Sequence, residues 1–95
     1  MRFDPYQLIW DKEHKAKEVF FIIDGTIHNE ENDRVLNSGM MFGQDDILFK
    51  RDRRFKMRAE VETYTMRLSN EDFESMIEEY PELKKSLLQD ATIRD

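Results

Sequence analysis

The sequence predicts a mainly β domain closed by two helices, and three features carry that reading. A β-favouring run, Val19-Phe20-Phe21-Ile22-Ile23, is followed by the turn pair Asp24-Gly25; apolar and polar residues alternate from Phe55 to Leu68; and after Ser69 the apolar spacing changes from two to three or four. The 95 residues are 39% hydrophobic and 12% aromatic, with seven Phe, which suits one packed core better than a disordered acidic tail despite 38% charged residues and a net charge of −6. With no Cys in the chain, disulfide scaffolds, thiolate zinc sites and cysteine nucleophiles are excluded together. No apolar run approaches the roughly 20 residues of a membrane span, and Asp4-Pro5 stands where a signal peptide would be apolar.

Tyr6 and Trp10 fit core or rim aromatics of a first strand. After the Val19–Ile23 strand and its turn, Thr26 to His28 restarts as a strand, and the polar segment Asn29-Glu30-Glu31-Asn32-Asp33 separates it from Arg34-Val35-Leu36 as a hairpin loop would. Asn37-Ser38-Gly39 is another turn. Phe55, Met57, Ala59 and Val61 then form one alternating set and, after a one-residue change of phase, Tyr64, Met66 and Leu68 form a second. Two half-buried strands follow from this, and the expected core is Phe20, Ile22, Met57, Val61, Tyr64, Met66, Leu68 and Phe73. Ser69-Asn70-Glu71-Asp72 reads as a helix cap with an acidic first turn, and Phe73, Met76, Ile77 and Tyr80 fall on one helical face. Pro81 cannot continue that helix but suits the first turn of another, along which Leu83, Leu87 and Ala91 make a stripe down to Arg94.

Six of the fifteen basic residues, Lys50, Arg51, Arg53, Arg54, Lys56 and Arg58, crowd into nine positions. Such clustering either draws an anion or forms a solvated strand face. A nucleic-acid partner is disfavoured by the overall acidity and the scarcity of interleaved aromatics. No nucleophile with a base, and no pair of carboxylates in contrasting environments, emerges for an enzyme; His14 and His28 lack companions at metal-ligand spacing.

The segment Leu36-Asn37-Ser38-Gly39-Met40-Met41-Phe42-Gly43-Gln44, with Arg53 nine positions later, resembles the phosphate-binding cassette of the cyclic-nucleotide-binding domain family. Met57-Arg58-Ala59 is similar to the Val-Arg-Ala that follows it there, and Ser69 to Glu82, with its Glu-Glu-Tyr-Pro, resembles the ending of hyperpolarization-activated and cyclic-nucleotide-gated channel domains. The resemblance, covering roughly residues 6 to 94, implies an antiparallel β-roll of jelly-roll type over residues 1–68, with a short cassette helix within 39–56, and C-terminal helices over 69–95. The family's N-terminal helices and first strand have no counterpart here, so the chain is expected to be a fragment of a longer protein.

The resemblance further implies a regulatory domain, cytoplasmic and part of a membrane cation channel or transporter, that takes cAMP or cGMP, needs no cofactor and oligomerises through its parent. Its site would comprise Phe42, Gly43, Gln44, Asp45, Asp46, Arg53, Arg54, Phe55 and, on the last helix, Arg94, with the Arg53 guanidinium on the phosphate. The competing, less favoured reading of Arg53 is a surface cation paired with Asp45 or Asp46. The departures from the family pattern matter. Gln44 replaces an acidic ribose contact, Arg54 and Phe55 stand where the family has small residues, and Asp45 and Asp46 bring negative charge to a usually apolar helix turn. Weak binding is therefore expected, and a degenerate domain serving as a structural or protein-interaction module is the alternative.

Overall fold

The computed structural model describes residues 1–94. Eight strands and three helices follow in the order β1 (Arg2–Phe3), β2 (Leu8–Trp10), β3 (Glu18–Asp24), β4 (Thr26–Asn29), β5 (Val35–Asn37), β6 (Met41–Phe42), α1 (Gln44–Leu48), β7 (Met57–Ala59), β8 (Thr63–Ser69), α2 (Asn70–Glu79) and α3 (Pro81–Arg94). The strands form two four-stranded sheets, ordered β1-β8-β3-β6 and β2-β7-β4-β5, in which every pairing is antiparallel. This is the mainly β roll with C-terminal helices that the alternation predicts.

Asp24-Gly25 is the corner where the chain leaves one sheet and enters the other, because β3 pairs with β8 while β4 pairs with β5 and β7. Gly25 adopts φ 118°, and a Cβ there would lie 2.4 Å from the Thr63 Oγ1 and 2.7 Å from its Cα. Both the backbone conformation and the close crossing of β8 therefore demand glycine.

Between the sheets lie Phe3, Trp10, Phe20, Ile22, Ile27, Leu36, Phe42, Met57 and Ala59. Phe20 and Phe42 stack at 5.1 Å between centroids, and Trp10 lies 5.5 Å from Phe42 and 6.0 Å from Phe20. On the other face of the first sheet Val19 joins Ile47, Phe73 and Ile77, so that α1 and α2 seal one end of that face. The Ser69 Oγ accepts from the Asp72 N–H at 3.1 Å and caps α2 as its sequence predicts. No helix among the described residues is long and apolar enough to cross a membrane.

The phase of β8 is the reverse of the expected one. Thr63 and Thr65 face the core, whereas Tyr64 and Met66 point outward and Val61 lies exposed in the preceding turn. Register explains the inversion: Thr65 is opposite Ile22 and Met66 opposite Phe21, so the inner face of β3 selects the threonines. Their hydroxyls are satisfied, Thr63 donating to the Val61 carbonyl at 2.9 Å and Thr65 to that of Met1 at 2.9 Å. A larger inward residue at 63 would strike Gly25. Leu68 is half-buried under the helices rather than between the sheets, and Tyr80, just past α2, is exposed. The outer stripe Val19-Phe21-Ile23 with Leu68-Met66-Tyr64 is thus covered at the Val19 end and bare at the other.

Three substitutions check this register by urea unfolding. Met66→Lys, at a side 62% exposed, should change stability by less than about 0.5 kcal/mol, whereas Ile22→Ala should cost about 2 to 5 kcal/mol. Gly25→Ala should be strongly destabilising, at about 2 kcal/mol or more. A costly Met66→Lys would mean that β8 is misregistered.

Candidate functional site

The segment joining β6 to β7 carries the cassette-like residues. Gly43, at φ 92°, precedes α1 as its N-cap, and a Cβ there would meet the Trp10 ring at 3.0 Å, the Glu18 carbonyl oxygen at 3.1 Å and the Arg53 Nη1 at 3.2 Å. The three obstacles belong to one assembly. Arg53 Nη1 donates to the Gly43 carbonyl at 2.6 Å, Nη2 donates to the Glu18 carbonyl at 2.5 Å, and the guanidinium lies 3.8 Å over the Trp10 ring. Its backbone is tied as well, the N–H donating to the His14 carbonyl at 2.8 Å and the carbonyl accepting from the Glu13 N–H at 2.7 Å. Burial pulls the Arg53 pKa below its ordinary value, an effect opposed by Asp46 and Glu18. An arginine remains charged regardless, so this is a buried cation stabilised by carbonyl dipoles, an aromatic face and a carboxylate.

Asp46 is that carboxylate. Its Oδ2 lies 3.5 Å from Arg53 Nη1, and its Oδ1 accepts from Arg51 Nε at 2.8 Å. The other basic residues diverge. Arg54 lies 4.8 Å over the Phe55 ring, and Arg58 bonds to the Glu30 carboxylate and donates to the Tyr6 carbonyl at 2.8 Å. The basic cluster is therefore partitioned among separate local partners and does not form one continuous positive face.

A cleft of about 370 Å³ opens beside this assembly. Phe42, Gly43, Gln44, Asp45, Asp46, Arg54 and Phe55 all line it, as does Arg51; Leu87 and Asp90 of α3 border it on one side, and Arg34 from the β4–β5 loop on another. Arg53 does not line it, being turned toward Trp10 and β3. It is not an exposed surface cation, since only 3% of its surface is exposed, though it does face Asp46 of the acidic pair. Arg94 ends α3, and its side chain lies outside the described residues.

Phe42 contributes chiefly to the core through its stacking on Phe20, while Gln44 is buried with an Oε1 that has no hydrogen-bond partner. This amide oxygen is buried behind the cleft wall, and a ligand hydroxyl could satisfy it only if the side chain turned into the cleft. The sequence reading missed Arg34 and Asp90, whose neighbourhood depends on how a hairpin loop and a terminal helix come together. Trp10 is a core aromatic of β2 as its sequence predicts, and it also carries the Arg53 guanidinium. The abundance of Arg beside a lone Trp was the available signal for a stacked guanidinium.

No protein-family profile matches the sequence, and no curated protein does. The fold, in contrast, is shared with solved structures. One is an EAL enzyme, Bd1971, in its cAMP-bound form, which superposes with a TM-score of 0.77 at 13% identity, over 99% of this chain and 27% of that one. At this identity the likeness is one of fold, and the chain spans 27% of that protein's length.

The Arg53 assembly makes a stability prediction. Arg53→Met strands two carbonyls and leaves Asp46 with Arg51 but without its second cation, so chemical denaturation should show a loss of about 3 kcal/mol. Arg53→Lys should recover only part of it, because an ammonium cannot hold both carbonyls while stacking on an indole. Equal stability of Arg53→Lys and wild type would contradict the assembly.

Proposed function

We propose that the chain is a non-catalytic regulatory domain of cyclic-nucleotide-binding type that takes cAMP or cGMP with low affinity. The observation that carries the proposal is the cleft itself, bounded by the cassette-like segment on one side and the last helix on the other, in a fold shared with a cAMP-bound protein. Its volume of about 370 Å³ falls in the range usual for small-ligand pockets. Gln44, once its buried and unpartnered amide oxygen turns into the cleft, would accept from a sugar hydroxyl, and Phe55 offers an apolar ring.

Low affinity follows from the same inventory. The cleft's three arginines, Arg34, Arg51 and Arg54, are offset by Asp45, Asp46 and Asp90. Arg53, the residue the resemblance assigns to the phosphate, is engaged by protein carbonyls. Losing one charge-assisted contact costs about 1.5 to 3 kcal/mol, or one to two decades in dissociation constant.

The wider assignment, to the cytoplasmic regulatory part of a cation channel or transporter, is supported by the Ser69–Glu82 resemblance. There α3 would act as a mobile lid, since Leu87 and Asp90 reach the cleft from it. One observation favours a second reading, a module that binds no nucleotide and contacts a partner: Arg53 is already satisfied internally.

Calorimetric titration with cAMP and cGMP should give dissociation constants weaker than the low-micromolar range. Tighter binding would overturn the weak-site reading, and no binding at about 1 mM, which corresponds to roughly 4 kcal/mol, would favour the module. Gln44→Glu, which restores a charge-assisted acceptor, should tighten binding at least about tenfold. Amide hydrogen exchange over Leu83–Ile93 should slow when nucleotide is bound, and an unchanged rate would exclude a lid.

A further inference from the structure

We propose that Asp46 is a built-in anion, competing with the phosphate of an incoming ligand for Arg51 and Arg53 and thereby setting the affinity of the cleft. The proposal rests on the reading of the cleft as a cyclic-nucleotide site. Its geometry is that of a bound oxyanion: one carboxylate oxygen accepts from Arg51 Nε at 2.8 Å, and the other lies 3.5 Å from Arg53 Nη1. Two oxygens of one anion thus engage two guanidinium groups, the arrangement in which arginines hold phosphate.

The Asp46 side chain is 12% exposed and lies at the cleft wall, so its charge is poorly screened by solvent. The other groups bonded to Arg53 are neutral carbonyls, and the Glu18 carboxylate acts on it more weakly than Asp46 does. A phosphate drawing Arg53 into the cleft must therefore displace Asp46 or sit beside it as a like charge, and either outcome costs affinity. No proton or covalent step is involved; the competition is purely one of charge and hydrogen bonding.

Asp46→Asn is the direct test, because it keeps an acceptor for Arg51 and removes the charge. Calorimetry with cAMP should show binding at least about tenfold tighter than wild type, while adenosine, which lacks the phosphate, should bind the two forms alike. The unliganded variant should melt at a lower temperature than wild type, so that affinity and stability move in opposite directions; a purely structural role would weaken both. Equal or weaker cAMP binding by a folded Asp46→Asn overturns the proposal.

A second measurement uses the wild type alone, should the variant not fold. Trp10 is the chain's single Trp, stacks on Arg53 and also borders the cleft, so cAMP should change its fluorescence by more than adenosine, which controls for direct contact with the ring. A response to saturating cAMP no larger than the response to adenosine overturns the proposal while leaving the cleft a nucleotide site. Absence of cAMP binding by wild type and variant together overturns both readings.

Discussion

A guanidinium ion with 3% of its residue surface exposed must find its acceptors inside the protein, and the arrangement around Arg53 is dictated by that requirement. Two carbonyls face it, from Glu18 at the start of β3 and Gly43 before α1, so the cation bridges a central strand to the cassette-like turn. Trp10 supplies the aromatic face and so brings in β2 of the other sheet. Gly43 must be glycine because any side chain there would enter this cluster. One side chain therefore ties together both sheets and the cassette-like segment that borders the cleft.

The consequence for function is a cleft whose strongest potential anion receptor is used for structure. What lines the cleft is electrostatically balanced, three arginines against three aspartates, with Arg51 already bonded to Asp46. Such a surface gains little from an anionic ligand unless an internal pair is exchanged. The Asp46 helix α1 is in turn packed with the first sheet and with Leu87 of the last helix, so an exchange of that pair would be felt in both.

The sequence was most informative where a single local rule governs an element. Five consecutive β-favouring residues made β3 plain, the Ser69 cap and the spacing of Phe73 and Ile77 made α2 plain, and Pro81 marked the start of α3. β1 and β6, of two residues each, carry no readable period and exist only because β8 and β3 offer partners. On β8 the apolar alternation pointed to the wrong face. Hydrophobicity favours Tyr64 and Met66 inside, but register against Ile22 and the tight crossing at Gly25 admit threonines, whose hydroxyls find carbonyls. At the site, seven of the nine expected residues do line one cleft, since they are near neighbours in sequence. The orientation of Arg53 was illegible because it depends on Trp10 and Glu18, which are 43 and 35 positions away.

The central claim is that Arg53 is a locked internal cation, and side-chain nitrogen NMR of the unliganded domain tests it most directly. A guanidinium held by two carbonyls and a stacked indole should show separate, slowly exchanging Nη hydrogens, because rotation about its C–N bonds is hindered. Fast rotation and rapid exchange at Arg53, as for an arginine in water, would contradict the account and return the residue to the cleft.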